Sequence, residues 1–217
     1  KYPLIIHVYK RAMHAKKIDK VFICCDHKKI FDVAKKYGAN VIMTSKKHRN
    51  GTDRISEAYN KIREKFQLIV DIQGDEPLIS PNHIDKVIEF HKKNMNYDII
   101  LPNLRVKSTI NTNIVKLITN KKNEVIYISR ANLPFEFKSK IKTTKKHLSI
   151  ISFLPSSLSK YASSQVSESE KIEDIELLRA INIGLKIKTL NLTGDSFSID
   201  VFKDYKKAQS QIIKDKV

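Results

Sequence analysis

Two neighbouring carboxylates, Asp75 and Glu76, lie two residues beyond an apolar stretch of the chain and immediately before a proline. Residues 68–72 have the apolar, β-branched composition of a buried strand, which Gly74 breaks and Pro77 cannot resume. In open α/β sheets, ligands bind beyond the carboxyl ends of the strands, where carboxylate oxygens can hold a divalent cation. The turn therefore predicts a cation site, and the alternative is a Gly-Asp turn that only ends the strand.

A second polar segment, from His48 to Arg54, lies just after a predicted strand and opens a predicted helix with a glycine. Backbone N–H groups at a helix start attract anions, and Thr52 and Arg54 add a hydroxyl and a guanidinium. With Gly51, these two residues form a candidate site for a negatively charged ligand. The alternative is an ordinary helix start, in which Thr52 caps the helix and Arg54 is solvated.

Three further residues carry functional groups at the ends of predicted elements. Arg130 ends a predicted hairpin and could bind a carboxylate through two N–H groups, or it is an ordinary surface arginine. His147 begins a predicted strand, where a lone histidine more often has a structural role than a catalytic one. Asp200 precedes the last predicted helix, either as its cap or, together with Asp75, as a ligand of Mg²⁺.

The composition points away from two classes of partner. The 217 residues include 41 Lys and Arg against 23 Asp and Glu, a net charge of +18. Such an excess can mark a nucleic-acid-binding protein, but here the lysines are spread along the chain without an arginine-rich arm or an aromatic stacking motif. Specific nucleic-acid binding is therefore the weaker hypothesis. No apolar run approaches membrane-spanning length, so a membrane partner is not expected.

The cysteines and the first residues bear on the compartment. Cys24 and Cys25 are adjacent and cannot form an ordinary disulfide with each other. The chain leads from Lys1 directly into an amphipathic segment, with no pattern typical of a signal peptide. We therefore expect a cytoplasmic protein in which both thiols are reduced.

The hydrophobic periodicity predicts an α/β fold with a mixed, mostly parallel sheet and an inserted antiparallel arm. The predicted helices cover residues 3–15, 27–37, 52–66, 81–94, 167–184 and 202–214. Gly38 is expected to end the second of them, and Ser167 with Glu170 to form a capping box at the start of the fifth, whose buried face includes Ile172. The predicted strands cover residues 21–25, 40–44, 68–72, 98–106, 114–119, 124–129, 147–154 and 186–192. Strands and helices alternate up to residue 98, and the hairpin of residues 114–129 breaks this rhythm.

Seven segments follow a known pattern: PLIIHVYKRA from Pro3, GTDR from Gly51, QGDEP from Gln73, YISRANLP from Tyr127, HL from His147, IELLR from Ile175 and SIDVFKD from Ser198. Together they resemble the CMP-Kdo synthetases, the 3-deoxy-manno-octulosonate cytidylyltransferase family, almost from end to end. The resemblance implies a Rossmann-like nucleotide-diphospho-sugar transferase fold, a homodimer and a requirement for Mg²⁺. It also implies transfer of CMP from CTP to a 2-keto-3-deoxy sugar acid, with release of pyrophosphate, for surface polysaccharide synthesis.

The resemblance implies a role for each candidate residue. Asp75 and Asp200 would be catalytic and would hold Mg²⁺. The other implied roles are CTP binding by Gly51, Thr52, Arg54 and Gln73, and sugar-acid binding by Arg130, His147 and Glu176. The implied single domain comprises a nucleotide-binding half, an inserted sugar-binding and dimerising arm, and a closing segment, at residues 1–98, 99–165 and 166–217.

Some features depart from the family pattern. The family begins with a strand and a loop rich in Gly, Ser, Arg and Lys that wraps the triphosphate, whereas this sequence starts after that loop. If the protein truly lacks the loop, its catalytic turnover is expected to be severely impaired. Ile151 replaces an aromatic residue and Leu177 replaces a glutamine in the implied sugar pocket. Such changes leave sugar hydroxyls unpaired and discriminate between substrates, so a modified sugar acid is an alternative to Kdo. Another alternative is a catalytically silent paralogue that binds nucleotide or sugar acid.

Overall fold

The computed structural model describes residues 2–194, 198–199 and 202–214, and it confirms the α/β class. The helices are α1 Leu4–Met13, α2 Lys28–Lys36, α3 Gly51–Lys61, α4 Pro81–Lys92, α5 Pro155–Ala162, α6 Glu168–Glu173, α7 Leu177–Asn182 and α8 Phe202–Lys214. The strands are β1 Ile23–Cys25, β2 Val41–Met43, β3 Ile69–Ile72, β4 Ile99–Ile100, β5 Asn103–Lys107, β6 Lys116–Thr119, β7 Val125–Ser129, β8 Thr143–His147, β9 Ile150–Phe153, β10 Ile187–Lys188 and β11 Asn191–Leu192. Within the described ranges, no helix has both the length and the apolar character needed to span a membrane.

The chain divides into two compact units. Unit 1 consists of Lys1–Lys65, Ile72–Glu89 and Asp195–Val217, and unit 2 consists of Phe66–Asp71 and Phe90–Gly194. Unit 1 carries the candidate nucleotide residues and unit 2 carries the candidate sugar-acid residues. The division of a single domain at residues 98 and 165 stays a prediction.

The core of unit 1 forms where α1 packs against the parallel pair of β1 and β2 and the helix that connects them. Ile6 of α1 is completely buried and packs with Ile23, Ala34 and Ala39. Gly38 ends α2 with φ at +72°, a left-handed conformation that glycine adopts without strain, as the sequence predicted. This arrangement directs the carboxyl ends of β1 and β2 to the same side.

Two helices of unit 1 test the predicted boundaries. The helix predicted to reach residue 66 ends instead at Lys61, because Ile62 adopts an extended backbone. The last helix, α8, coincides with the predicted range 202–214. Asp200, which precedes it, lies outside the described residues.

Unit 2 contains two sheets whose strands follow a matching order. One runs β10-β4-β9-β3 and the other runs β11-β5-β8-β6-β7. Two strands predicted as continuous, at residues 98–106 and 186–192, are each broken into two short strands, one in each sheet. The predicted strand 147–154 is also not continuous, because its first residue ends β8, which starts at Thr143, and its later part forms β9. The three breaks lie side by side, because β4, β9 and β10 are neighbours in the first sheet and β5, β8 and β11 in the second.

Backbone pairing continues through this bend. The N–H of Leu148 donates to the carbonyl of Pro102 at 3.1 Å, and the N–H of Asn103 donates to the carbonyl of Leu190 at 2.9 Å. His147 is therefore the last residue of β8 and not the first residue of a strand, as the sequence had suggested.

The helical part of unit 2 corrects a second prediction. The helix predicted over residues 167–184 is two helices, because Asp174 adopts a left-handed backbone with φ at 52° and ends α6. The predicted capping box of Ser167 and Glu170 is confirmed. Ile172, predicted to be buried, is 75% exposed. The preceding helix α5 was not predicted at all.

Candidate functional site

The turn after β3 is compact and closely packed. The N–H of Glu76 donates to the carbonyl of Gln73 at 3.4 Å. A Cβ at Gly74 would lie only 2.9 Å from Cδ1 of Ile5 in α1, so glycine allows this close approach. Glu76 is buried at 5% exposure whereas Asp75 is half-buried, which leaves Asp75 as the candidate ligand of the pair.

The backbone of Asp75 connects this turn to the last part of the chain. Its carbonyl accepts a hydrogen bond from the N–H of Ile199 at 3.0 Å. Ile199 directly precedes Asp200, so the segment that leads into α8 reaches the turn. The convergence of the two carboxylates on one ion stays a prediction, because Asp200 is not among the described residues.

The amino end of α3 has an N-cap that the sequence reasoning missed. Oδ1 of Asn50 accepts a hydrogen bond from the N–H of Asp53 at 2.8 Å. The suggestion that Thr52 caps the helix is therefore wrong, and Thr52 is instead a buried residue of the first turn. Gly51 and Thr52 begin a helix of 11 residues, whose amino end attracts anions through its N–H groups and dipole.

Arg54 is held by side chains and is not solvated. Its Nη2 lies 2.9 Å from Oδ2 of Asp26, and its Nη1 donates to Oγ1 of Thr44 at 2.8 Å. Asp26 directly follows β1 and Thr44 directly follows β2, so Arg54 is fixed where these parallel strands end. Ligands bind at this end of such strands. Sequence reasoning missed Asp26, although its place after a strand is the signal that singled out Asp75.

Glu57 of α3 fixes the loop that leads into the helix. Its carboxylate accepts the N–H of Ser45 at 2.9 Å and also contacts the His48 ring. Lys61 lies 2.6 Å from the other carboxylate oxygen. The hydrogen bond from Lys61, with those from Ser45 and His48, lowers the pKa of Glu57 to about 2. Ser45 and His48 of the loop are thus both bound to one carboxylate, which is ionised at neutral pH.

In unit 2, Arg130 binds the carboxyl end of α6. Its Nε donates to the carbonyl of Glu173 at 2.8 Å, and its Nη2 donates to the carbonyl of Asp174 at 3.0 Å. Its Nη1 donates to the carbonyl of Thr112 at 3.2 Å. Three of the five N–H groups of the guanidinium are thus bound to backbone carbonyls, which orients Arg130 rigidly. Two N–H groups remain for a ligand carboxylate.

Glu176 lies near Arg130 along the chain that joins α6 to α7. It occupies the N-cap position of α7, two residues after Asp174, and its backbone carbonyl accepts a hydrogen bond from the hydroxyl of Tyr161 at 3.2 Å. Arg130 and Glu176 therefore belong to one corner of unit 2. Opposite charges at this corner suit a ligand that has both a carboxylate and hydroxyl groups.

His147 ends β8 at the same edge of the sheet as Arg130, because Lys116 of β6 pairs with Ser129 on one side and with Lys146 on the other. Burial, with a smaller effect of the neighbouring Lys146 charge, lowers the pKa of His147 to about 4. The ring is therefore neutral at pH 7. A neutral imidazole offers one donor and one acceptor, which suits hydroxyl groups better than a carboxylate.

Comparison with known proteins identifies the family. A family model described as cytidylyltransferase matches residues 1–187. The 3-deoxy-manno-octulosonate cytidylyltransferase of Thermodesulfovibrio yellowstonii is 36% identical over 222 residues, which cover 95% of this chain and 87% of that protein. The 8-amino-3,8-dideoxy-manno-octulosonate cytidylyltransferase of Shewanella oneidensis is 31% identical over 223 residues, which cover 98% of this chain and 89% of the relative.

Solved structures share the fold. A CMP:2-keto-3-deoxy-manno-octonic acid synthetase complexed with CTP has a TM-score of 0.90 at 24% identity, covering 98% of this chain and 88% of that chain. The 4-diphosphocytidyl-2C-methyl-D-erythritol synthase of Anaerococcus prevotii has a TM-score of 0.62 at 15% identity, covering 97% of this chain and 89% of that chain.

The fold, together with the family match, defines a nucleotidyltransferase. Within that class, the chain belongs to the cytidylyltransferase family, in the group of the 3-deoxy-manno-octulosonate cytidylyltransferases. The resemblance seen in the sequence is confirmed.

Proposed function

We propose that the protein transfers CMP from CTP to the anomeric hydroxyl of a 2-keto-3-deoxy sugar acid and releases pyrophosphate. The names of the two relatives support this class of acceptor. The observation that carries the proposal is the 3.0 Å hydrogen bond from Ile199 to the carbonyl of Asp75, since it ties the segment before Asp200 to the strand-end turn.

Unit 1 would bind CTP. The amino end of α3, with Gly51 and Thr52, would hold phosphate oxygens through backbone N–H groups. Arg54 would add a guanidinium whose orientation is already fixed by Asp26 and Thr44, so that little side-chain entropy is lost on binding. Gln73, in the turn after β3, would contribute a side-chain amide.

Asp75 and Asp200 would hold one Mg²⁺. Magnesium takes one or two protein carboxylates, and water and substrate phosphates complete its octahedron. The turn after β3 fits such a site, since Asp75 is half-buried there while its neighbour Glu76 is buried. When bound, the ion would supply charge stabilisation at the α-phosphate and lower the pKa of the attacking hydroxyl.

Unit 2 would bind the sugar acid. Arg130 would pair with the carboxylate through its two remaining N–H groups, since its other three are bound to backbone carbonyls. Glu176 would accept hydrogen bonds from hydroxyl groups. His147, neutral at pH 7, would exchange a hydrogen bond with a further hydroxyl.

The reaction needs no covalent bond to the protein. The anomeric oxygen forms a bond to the α-phosphorus in line with the bond to the pyrophosphate oxygen, which breaks, and the hydroxyl proton passes to solvent. The residues named above position the two reactants and offset the charge that develops on the phosphate oxygens.

The identity of the sugar acid depends on two aliphatic residues. Ile151 and Leu177 replace polar or aromatic residues of the family pattern, and they are buried at 1% and 2% exposure. An aliphatic site cannot satisfy a sugar hydroxyl, which disfavours Kdo relative to a differently substituted analogue. The amino-sugar named for the Shewanella relative is one such analogue.

The test is pyrophosphate release by the full-length protein with CTP, Mg²⁺ and a panel of sugar acids. The panel contains Kdo, 8-amino-3,8-dideoxy-manno-octulosonate and a sialic acid as a control. We expect release with one of the first two and none when UTP replaces CTP. CTP binding without release for any sugar acid would instead indicate a catalytically silent paralogue.

The proposal includes a homodimer formed through the arm of residues 99–165. Phe135 and Phe137 of this arm are 82% and 83% exposed, and exposed aromatic side chains are typical of protein interfaces. Sedimentation velocity should give a dimer for the wild type and a monomer for Phe135→Ser with Phe137→Ser. A wild-type monomer would contradict this part of the proposal.

A further inference from the structure

Asn103, at the start of β5, has a buried amide of which only one half is satisfied. The residue is 0% exposed, and its Nδ2 donates to Oγ1 of Thr189 at 2.7 Å and to the carbonyl of Leu190 at 3.1 Å. These two bonds fix which end of the amide is the nitrogen. Its Oδ1 accepts no hydrogen bond from any residue in the described part of the chain. A buried carbonyl oxygen without a hydrogen-bond donor destabilises the folded state, so we expect Oδ1 to have a partner.

The residue directly opposite Asn103 in the sheet is His147. The backbone N–H of Asn103 points away from β8, to the carbonyl of Leu190, and the N–H of His147 points away from β5, to the carbonyl of Val115. The two residues therefore form a non-hydrogen-bonded antiparallel pair. In such a pair both side chains lie on one face and the Cα atoms are about 4.5 Å apart, the closer of the two spacings.

The hydrogen bonds of Nδ2 limit where the open oxygen of Asn103 can lie. Strand β5 lies between β11 and β8, and the amide nitrogen of Asn103 is held by the residues that lead into β11. Nitrogen and oxygen diverge from the amide carbon, so Oδ1 cannot also face the residues that hold Nδ2, and β8 is the other strand that flanks β5. The ring of His147 has no side-chain hydrogen bond to any of the described residues and carries one N–H donor when neutral.

We propose that Asn103 is a positioning residue for His147. Its Oδ1 accepts a hydrogen bond from one bridging water, which itself accepts the ring N–H of His147, and this link fixes the tautomer and orientation of the ring. The other ring nitrogen is then a bare acceptor, which is directed to a substrate hydroxyl or amine donor. The first part, the tautomer and orientation of the ring, concerns unit 2 alone. The second part, the hydrogen bond to a substrate, rests on the proposed function.

The test of the first part is NMR of protein labelled with ¹⁵N in its histidine rings, recorded at pH 7. We expect two well-separated ring nitrogen shifts for His147, as a single tautomer gives. Asn103→Leu should average these shifts, whereas Asn103→Asp, which keeps an acceptor oxygen, should preserve them. His147→Gln assigns the signals.

His91 of the same unit is a matched internal control. Its ring is held independently by Oγ of Ser152 at 2.7 Å and by the carbonyl of Tyr97 at 3.2 Å, so its signals should not change in any Asn103 variant. Should Asn103→Leu perturb His91 or fail to fold, Thr189→Val replaces it, because this change removes the shorter of the two hydrogen bonds of Nδ2 and leaves Asn103 in place. Averaged shifts for wild-type His147, or separated shifts that persist in both variants, would overturn the proposal.

A second measurement separates this inference from the proposed function. With an active sugar acid, Asn103→Leu should lower kcat/KM for the sugar acid about three- to tenfold, the effect of one hydrogen bond, while KM for CTP is unchanged. If the tautomer behaves as expected but saturating Kdo and its 8-amino analogue leave the His147 signals unchanged, the positioning role is upheld. The sugar-binding role of His147 is then overturned.

Discussion

Breaking one buried ion pair in unit 2 should have a large effect on stability. Nε and Nη2 of Arg179 bind the two carboxylate oxygens of Glu170 at 2.8 and 2.6 Å, and the side chains are only 2% and 9% exposed. The guanidinium also lies 4.3 Å from the ring centre of Tyr161. Arg179→Met has a similar length and apolar character, so it removes the charge while filling much of the space.

The expected loss follows from the burial of the remaining carboxylate. Removing one partner of a buried pair leaves an uncompensated charge and costs about 3–5 kcal/mol. At about 2–4 °C for each kcal/mol in a chain of this size, the melting temperature should fall by about 6–20 °C. Urea denaturation followed by circular dichroism gives the free energy directly. Adding Glu170→Gln to Arg179→Met removes the stranded charge and should recover part of the loss.

The matched control is Lys28→Met, which removes the cation of an exposed pair. Lys28 lies 3.0 Å from Asp32, and these side chains are 82% and 55% exposed. Its loss should cost no more than about 0.5 kcal/mol. A cost below about 1 kcal/mol for Arg179→Met, comparable to that of the control, would refute the reasoning, because Glu170 would then not be desolvated.

Three further changes test other parts of the account. The pKa of Glu57 is lowered from 4.5 to about 2, so its contribution is present above pH 4.5 and is lost as the pH falls toward 2. Glu57→Gln should therefore flatten the pH dependence of the unfolding free energy between these values, and an unchanged slope would show that the carboxylate is not held as described. Asp26→Asn weakens the hold on Arg54 and should raise KM for CTP about tenfold with little change in kcat, whereas an unchanged KM would remove Arg54 from the nucleotide site. Leu177→Gln should increase pyrophosphate release with Kdo while costing about 1–3 kcal/mol of stability, since the site is buried, and no change in activity would show that residue 177 does not face the sugar acid.

Local sequence signals predicted the parts of the fold that depend on local chemistry. The capping box of Ser167 and the glycine that ends α2 were predicted because caps act within one helical turn. The break at Asp174 was missed because aspartate, although enriched among non-glycine residues with positive φ, marks such a break far less specifically than glycine does. The broken strands were also missed, because only one of the three contains a proline at the bend and the others bend to stay paired with it.

In the candidate site, too, the features with a local sequence signal were predicted and the others were missed. The turn with Asp75 and the start of α3 were predicted, because glycine and the end of an apolar run mark both of them in sequence. The partners that hold the predicted residues were not predicted. Asp26 is 28 residues from Arg54, and Asn103 meets His147 only through strand pairing. Such contacts depend on the topology of the folded chain, which no local pattern specifies.

The most direct test of the account is the turnover of Asp200→Asn, measured beside Asp75→Asn by pyrophosphate release in the full-length protein. Asparagine caps a helix about as well as aspartate, so Asp200→Asn should leave the melting temperature unchanged. If both carboxylates hold the magnesium ion, each variant should lose turnover by at least about a hundredfold. Wild-type turnover in Asp200→Asn would contradict the account, because Asp200 would then serve only as the cap of α8.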